Sequence, residues 1–396
     1  MFQKSDEQRK VCRKTVEEQL EEKKQKERKE QKEVKKDTAA VSTRRPIFDH
    51  IRAFACIGII GLHITGDRSD ALGLTFQTYF RIWLPMFFLL SGALILTSKK
   101  EESIGKFYLK RVEKALIPLL IYGMLYTCWI NPGQRILAIP TKAAIKQAIL
   151  LIPQAISLNL QGPQFYHLWF MYSIMGLYLV MPFFKKALQA MNERMLIALA
   201  ALILVLQACT DYIPVFGYVF GFTNDFQERW AIYIIFGYII MQDFAKKKYP
   251  QMVIAGVIAA VASFLWKYYF PNHISANYYD LAPHMILQTC GMFAVFMLVE
   301  KYLTKWNWLN WIAGRISKYS LSIYMIHGYI LSWWQMTYGI RSDTVHGTLY
   351  TLLLAFLMSL AFAIIFDNVV VFNVQRLFRW ICRKIGCLLK KDRATL

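Results

Sequence analysis

The stretch RPIFDHIRAFACIGIIGLHITG, residues 45–66, decides the fold of this protein. Its Ile, Ala, Phe, Gly and Leu residues form an apolar run long enough to cross a lipid bilayer as a helix. The run nevertheless contains Arg52 near one end and His63 near the other. Ionisable side chains are costly in hydrocarbon, so those inside a membrane helix usually face a polar cavity and take part in function. We therefore predict a transmembrane helix whose polar residues line such a cavity.

The rest of the chain repeats this apolar pattern. Of its 396 residues, 56% are hydrophobic and only 18% are charged, and the mean hydropathy is positive. Apolar runs of the length that crosses a bilayer recur about ten times. The sequence therefore predicts an all-α polytopic membrane protein with about ten transmembrane helices. The predicted spans are 47–65, 78–97, 115–130, 167–184, 195–210, 228–241, 251–270, 281–299, 319–336 and 348–372.

The formal net charge of +21 is explained by membrane topology. Of the 47 Lys and Arg residues, 38 lie in the two tails and in alternate loops, 8 lie in the other loops or at the span ends beside them, and the last is Arg52. Because cytosolic loops carry the excess of Lys and Arg, both termini are predicted to be cytosolic in a multi-pass protein of the plasma membrane. The same charges attract anionic headgroups. We expect membrane lipids as partners and no nucleic acid.

Composition divides the chain into three parts. Residues 1–46 are rich in Glu, Lys and Gln and predict a charged cytosolic tail, partly helical or disordered, for which binding a cytosolic partner is an alternative role. Residues 47–373 are predicted to form the membrane domain, and residues 374–396 a basic cytosolic tail. Between the third and fourth spans, apolar residues at helical spacing from Ala143 to Ile152 predict an amphipathic helix on the outer surface, with a lid over an acceptor site as the alternative.

The spacing of Arg52 and His63 places them on one face of the first helix. Eleven residues are almost three whole turns, and the two positions are about 16 Å apart along the axis. With the N-terminus in the cytosol, Arg52 lies near the cytosolic mouth and His63 lies deeper. A purely structural alternative is that His63 bonds a neighbouring helix while Arg52 extends to the headgroups. In the second span, Ser91 and Gly92 are predicted to allow a close approach of another helix, with a catalytic role for Ser91 as the alternative.

Five short motifs occur between residues 47 and 335. They are Arg52 and His63 with ten residues between them, PMFFLLSGALIL at 85–96, FYLKRVEKALIP at 107–118, HLWFMYSIMGLYLVMP at 167–182 and SLSIYMIH at 320–327. In this order they resemble the integral-membrane acyltransferase family 3, whose members O-acylate surface polysaccharides and other extracytoplasmic acceptors. The resemblance implies acetyl-CoA as the co-substrate, and no metal is expected.

The resemblance also implies a donor site in the basic cluster before the third span. Cations at Lys110, Arg111 and Lys114 could hold the phosphates of a cytosolic acyl-CoA. The usual Arg-x-x-Arg of the family reads Arg111-x-x-Lys114 here, which keeps the charge but loses one guanidinium able to grip phosphate through two bonds. Without the resemblance, these residues would be an ordinary basic loop of the positive-inside rule.

Acyl transfer to a hydroxyl needs a base that works near neutral pH, and histidine supplies one. His63 and Arg52 are therefore the predicted catalytic residues. His63 acts either as a base or as a transient carrier of the acetyl group, and Arg52 lies nearest the donor. His327, with Tyr324 three residues before it on the same face, is a candidate substrate contact. A buried structural role is the alternative.

Two further polar residues have open roles. His167, at the outer end of the fourth span, is a candidate acceptor contact, with interfacial packing beside Trp169 as the alternative. Asp367 is a rare acidic residue in the last apolar run and a candidate ion-pair partner of Arg52.

Together these patterns predict a membrane O-acetyltransferase. It would move an acetyl group from cytosolic acetyl-CoA to a hydroxyl of an extracytoplasmic or lipid-linked glycan. A transporter or flippase of lipid-linked sugars is the alternative, since it would also place charges inside a bundle of membrane helices. The combination of Arg52, His63 and the basic cluster at 110–114 favours the enzyme, because a transporter has no need of it.

Overall fold

A computed structural model describes residues 45–65, 70–99, 101–129, 152–163, 165–212, 229–269, 280–338 and 344–392. Over these ranges the chain is helical and contains no β-strand. The helices are α1 (Ile47–Thr65), α2 (Ala71–Phe80), α3 (Trp83–Ile95), α4 (Ile104–Arg111), α5 (Ile117–Trp129), α6 (Ile152–Gln161), α7 (Trp169–Gln189), α8 (Glu193–Tyr212), α9 (Ala231–Ile240), α10 (Asp243–Lys246), α11 (Tyr249–Tyr269), α12 (Pro283–Leu303), α13 (Asn307–Tyr338), α14 (Val345–Phe366) and α15 (Phe372–Asp392).

Three shorter turns connect some of these helices. Two are π-helical, π1 (Val112–Leu116) between α4 and α5 and π2 (Asp367–Val371) between α14 and α15, and the third is a 3-10 turn, Tyr166–Leu168, before α7. The tail 1–44 and nearly all of the predicted amphipathic helix at Ala143–Ile152 lie outside the described residues.

Seven helical segments of the described chain are long and apolar enough to cross a membrane. They are Ile47–Thr65, Leu72–Ile95, Tyr166–Gln189, Glu193–Tyr212, Tyr249–Tyr269, Pro283–Leu303 and Val345–Ile385. An all-α, multi-pass membrane protein is thereby supported. The predicted spans at 115–130, 228–241 and 319–336 do not meet the same criterion, so the count of ten stays a prediction.

These three predicted spans fail the criterion for physical reasons. Helix α9 has only ten residues, Ala231–Ile240, although it is strongly apolar. Helix α13 has 32 residues, but its serines, together with His327 and Gln335, lower the hydropathy of the predicted span 319–336. The helix that runs through π1 begins with a basic segment, and its apolar part, Ile117–Trp129, has only 13 residues.

The outer helices present apolar faces. Six branched side chains on α8 and α11 are at least half exposed: Leu202, Val205, Ile254, Val257, Ile258 and Val261. Their spacing of three and four residues places each set on one face of its helix. A soluble protein rarely exposes so large an apolar surface, so we assign these faces to lipid.

Helix α1 is the most buried of the seven segments and packs along α13. Three contacts join the two helices: Arg52 Nη1 lies 3.4 Å from Ser317 Oγ, Cys56 Sγ lies 3.6 Å from the carbonyl of Ser320, and the ring of His63 faces that of His327. Residue numbers rise together along both helices, so α1 and α13 are parallel. The Arg52 end and the His63 end of this pair are therefore opposite ends of the bundle.

Glycines allow α3 and α9 to touch backbone to backbone. A Cβ added at Gly92 would overlap the backbone of Ile234, and a Cβ added at Gly237 would overlap the carbonyl of Leu89. The close helix approach predicted at Gly92 is confirmed. The hydroxyl of the neighbouring Ser91 instead donates to the carbonyl of Phe87 in its own helix, at 2.9 Å.

Candidate active site

Three histidines far apart in the sequence meet at one place. His63 comes from α1, His167 from the 3-10 turn before α7, and His327 from α13. The ring centroids of His327 lie 5.1 Å from His63 and 4.7 Å from His167, and those of His63 and His167 are 6.5 Å apart. His167 and His327 are buried, whereas His63 is partly exposed. We call these three residues the histidine cluster.

Hydrogen bonds to carbonyls orient the two buried rings. His327 Nδ1 lies 2.5 Å from the carbonyl of Tyr324, and His167 Nε2 lies 3.0 Å from the carbonyl of Met325. Because a carbonyl can only accept, each of these ring nitrogens carries the hydrogen. In a neutral imidazole the other nitrogen is then an acceptor. His327 Nε2 and His167 Nδ1 are both buried, and neither has a hydrogen-bond partner among the described residues.

Unpaired buried acceptors of this kind are rare in folded proteins and require an explanation. Here the two free ring nitrogens belong to neighbouring rings beside His63. Such a site offers lone pairs to a ligand that carries hydrogen-bond donors, such as hydroxyl groups.

Aromatic side chains fix the 3-10 turn that carries His167. The hydroxyl of Tyr324 donates to the backbone carbonyl of His167, and the hydroxyl of Tyr126 donates to the carbonyl of Met325 at 2.6 Å. The ring of Tyr126 stacks on that of Phe165, with centroids 4.8 Å apart. The structure therefore brings together His63, Tyr324 and the two other predicted histidines.

Gly328 is a residue of this site that the sequence analysis missed. A Cβ at this position would overlap the ring of His167, so only glycine leaves room for the imidazole. The available signal was a glycine directly after His327 in a helix that otherwise has large side chains.

Arg52 lies at the opposite end of α1, in a polar network with α13. Its guanidinium is 3.4 Å from Asp49 Oδ1, and the hydroxyl of Ser317 donates to the same carboxylate oxygen at 2.7 Å. The Arg52 side chain is 29% exposed, so the network reaches solvent or headgroups. Asp49 was missed by the sequence analysis, although a carboxylate three residues before an arginine in a helix is a recognisable ion-pair spacing.

The expected pairing of Asp367 with Arg52 is wrong. Asp367 accepts hydrogen bonds from the hydroxyls of Ser322, at 2.7 and 2.8 Å, and Tyr122, at 3.1 Å. Ser322 is five residues beyond Ser317, which is about 7.5 Å further along α13. Asp367 is therefore too deep in the bundle to replace Asp49 as the carboxylate beside Arg52.

A basic cavity of about 780 Å³, cavity A, contains two of the predicted donor residues, Lys110 and Arg111. Its lining residues are Leu94, Ile95, Ser98, Lys99, Glu101, Glu102, Ile104, Phe107, Lys110, Arg111, Met181, Pro182, Lys185, Lys186 and Gln189. Five of these side chains are basic and two are acidic. The cavity therefore favours an anionic ligand.

Arg111 is held at cavity A without a carboxylate partner in the described chain. Its guanidinium carbon lies 4.8 Å from the ring centroids of both Phe107 and Tyr178. Its Nε is buried and makes no hydrogen bond with a described residue. Lys110 differs, because its ammonium forms an ion pair with Glu102. Arg111 is thus the better placed of the two to bind an incoming phosphate.

The structure separates Lys114 from the other two donor candidates. Lys114 lines a different cavity, cavity B, of about 370 Å³. Positions 111 and 114 would be neighbours on an α-helix. Lys114 lies inside the π1 turn, Val112–Leu116, where the helix is wider than an α-helix, and its side chain is therefore turned away from cavity A. Arg52 lines neither cavity.

Helix α7 links the histidine cluster with cavity A. His167 directly precedes this helix, and Pro182, Lys185 and Lys186 near its other end line the cavity. Fifteen or more residues of helix separate them, which corresponds to more than about 20 Å along the axis. A single substrate that used both places would need a long extended arm. Within the described ranges, no group of three or more His, Cys, Asp and Glu residues is arranged to hold a metal ion.

The fold and site define a class: an all-α, multi-pass membrane protein with a buried histidine cluster and a separate basic cavity. A family model for an acyltransferase domain matches residues 45–367. The chain therefore belongs to this family, acyltransferase family 3, as the five motifs indicated. No curated protein matches the chain, and no solved structure does.

Proposed function

We propose that this acyltransferase is an acetyl-CoA-dependent O-acetyltransferase of the plasma membrane. It transfers the acetyl group to a hydroxyl of an extracytoplasmic or lipid-linked glycan, with both termini in the cytosol. The observation that carries this proposal is the histidine cluster, since it combines a partly exposed imidazole with two buried lone pairs that hydroxyls can fill. Family membership supplies the acyl chemistry.

The donor is proposed to bind at cavity A. Coenzyme A carries a pyrophosphate and a further phosphate, and the cavity presents five basic side chains for them. Arg111 makes the main contact because its planar guanidinium is already held between two rings. The pantetheine arm extends from there toward the histidine cluster. The basic residues concentrated in alternate loops support a cytosolic position for this end of the bundle.

The transfer step follows from the residue types in the histidine cluster. The acceptor oxygen attacks the thioester carbonyl carbon while its proton passes to the imidazole of His63. The tetrahedral intermediate then collapses, the carbon–sulfur bond breaks, and the thiolate of coenzyme A takes the proton from the imidazolium. The products are an acetyl ester and free coenzyme A. A variant in which His63 first carries the acetyl group has the same overall balance.

His167 and His327 position the acceptor in this proposal. His327 Nε2 and His167 Nδ1 each accept a hydrogen bond from a hydroxyl, which supplies the missing partners of two buried atoms. A sugar offers adjacent hydroxyls for this purpose. Tyr324 acts indirectly, because its hydroxyl holds the backbone of His167 in place. Arg52 is assigned to the donor end of the path, where Asp49 and Ser317 orient its guanidinium.

The test compares His63→Ala with His346→Ala, a histidine that is exposed at the start of α14. Membranes containing each variant are supplied with acetyl-CoA labelled in the acetyl group, and label is counted in envelope polysaccharide. We expect His63→Ala to abolish incorporation and His346→Ala to retain it.

A second measurement is the affinity of each purified variant for acetyl-CoA. We expect it to be unchanged in His63→Ala, because the donor phosphates bind at the other end of α7. Near-normal acetylation in His63→Ala would refute the proposed mechanism. Movement of a lipid-linked sugar across vesicles without any acetylation by the unmodified protein would support the flippase instead.

A further inference from the structure

Cavity B is lined by none of the residues that the proposed transfer uses. It is lined by Glu113, Lys114, Lys318, Asn368, Phe372, Gln375, Arg376 and Arg379, from the two π turns, α13 and α15. Lys318 directly follows Ser317, which contacts Arg52. Cavity B is therefore at the Arg52 end of α13, far from the histidine cluster.

The cavity holds four basic side chains and a single carboxylate. That carboxylate, Glu113, is engaged by Arg379 at 2.7 Å. Lys114 makes no hydrogen bond or ion pair with a described residue, and the partners of Lys318 are the hydroxyl of Tyr319 and two aromatic rings. Cations gathered around one cavity repel each other unless an anion is present, so cavity B is suited to an anionic group.

Arg376 likewise forms no ion pair with a carboxylate of the described residues. Its Nη2 lies 2.5 Å from the amide oxygen of Asn373, and its Nε lies 3.4 Å from the carbonyl of Phe372. Both partners are neutral acceptors in the same helix. Three of the four cations of cavity B, Lys114, Lys318 and Arg376, therefore form no ion pair with a carboxylate of the described chain.

The opposite face of α15 indicates where the anion comes from. Four large apolar side chains of this helix are 41 to 58% exposed: Leu377, Trp380, Ile381 and Ile385. Their spacing places them on one side of the helix. A helix with an apolar face that includes Trp, and with Arg on its other side, is the kind that lies at a membrane interface. The cations of cavity B are then at headgroup level.

We propose that cavity B binds the phosphate group of an anionic membrane lipid. Lys114, Lys318 and Arg376 supply the positive charge, and Phe372 supplies an apolar wall for the adjoining part of the lipid. Basic pockets between membrane helices on the cytosolic side commonly hold lipid headgroups. This site is separate from the donor site at cavity A, and it does not depend on the proposed acetyl transfer.

The experiment measures lipid binding to the purified full chain by native mass spectrometry. Phosphatidylglycerol is titrated into the detergent-solubilised protein, with phosphatidylcholine as the neutral reference. The test variant is Lys114→Gln/Arg376→Gln. The control is Lys247→Gln/Lys301→Gln, which removes the same charge from two positions outside both cavities. We expect the test variant to bind phosphatidylglycerol about tenfold more weakly or worse, and the control to bind it as the unmodified protein does.

Two further arms distinguish the sources of phosphate, using inorganic phosphate and coenzyme A as competitors. We expect neither to displace phosphatidylglycerol at concentrations that saturate cavity A. If coenzyme A displaces it, and the test variant loses affinity for coenzyme A, cavity B belongs to the donor site and the proposal is overturned. It is also overturned if inorganic phosphate alone binds there, or if the control variant loses as much lipid as the test variant. Size-exclusion chromatography of each variant identifies unfolded protein, and Lys114→Arg/Arg376→Lys should restore lipid binding.

Discussion

The contact between α3 and α9 gives a prediction whose size follows from the structure. A methyl group at Gly92 meets the backbone of Ile234, including the carbonyl carbon at 2.7 Å and the Cα at 2.8 Å. Backbone atoms cannot move aside by rotating a side chain, so Gly92→Ala forces the two helices apart. Overpacking of this kind costs about 1–3 kcal/mol. Alanine has a higher helix propensity than glycine, so the substitution also stabilises the helix by up to about 1 kcal/mol.

Gly176→Ala is the matched control, because a Cβ at this exposed position of α7 meets nothing within 4 Å. It keeps the gain in helix propensity and lacks the overlap. The difference between the two variants therefore isolates the overlap and should be about 2 kcal/mol. Reversible unfolding by sodium dodecyl sulfate in mixed micelles, followed by circular dichroism, gives the free energy of unfolding for each.

A double variant tests the physical cause. Gly237→Ala should separate the same two helices, because its Cβ on α9 meets the backbone nitrogen of Ala93 on α3 at 2.8 Å. Once one alanine has separated the helices, the second should cost less, so Gly92→Ala/Gly237→Ala should lose less stability than the sum of its parts. Equal stability of Gly92→Ala and Gly176→Ala, or strict additivity in the double variant, would show that the backbones do not limit the approach of these helices.

Three other substitutions test the site. Arg111→Ala should weaken binding of acetyl-CoA about tenfold or more, measured by calorimetry, with Lys247→Ala unchanged; equal affinity would remove cavity A as the donor site. Gly328→Ala should displace the ring of His167 and lower kcat while leaving acetyl-CoA affinity unaltered, and normal turnover would show that this ring is not required. Tyr122→Phe removes one donor from the buried Asp367 and should cost about 1–3 kcal/mol of stability, whereas an unchanged unfolding curve would mean that Ser322 alone satisfies the carboxylate.

Local patterns were enough to predict much of the fold. Hydropathy locates the long lipid-facing helices because their exposed surfaces must be apolar along their whole length. It is less informative for α13, since this helix faces α1 with Ser317, Ser320 and His327 and so has the composition of a helix in a polar site. The residues of α13 that form the candidate site are thus those that weaken the membrane signal of their own helix.

The site was predictable only where a single helix decides the geometry. The spacing of Arg52 and His63 on α1 correctly places them about three turns apart. The meeting of His63 with His167 and His327 depends on how three distant segments pack, and no local spacing reports that. The separation of Lys114 from Arg111 was not foreseen either, because the sequence does not reveal that the chain makes a π turn at Val112–Leu116.

The π1 turn also affects how this chain must be aligned with its relatives. Hydrogen bonds from i to i+5 enclose one more residue per turn than those of an α-helix, so the helix through Val112–Leu116 contains a local excess of chain. A relative that has a regular α-helix here reaches the same position along the helix axis with one residue fewer. An alignment without a gap at this turn would match every later position of α5 to the wrong face, Tyr122 included. Substitutions transferred between family members by counting from the Arg-x-x-Arg motif should therefore be checked against the geometry of this turn.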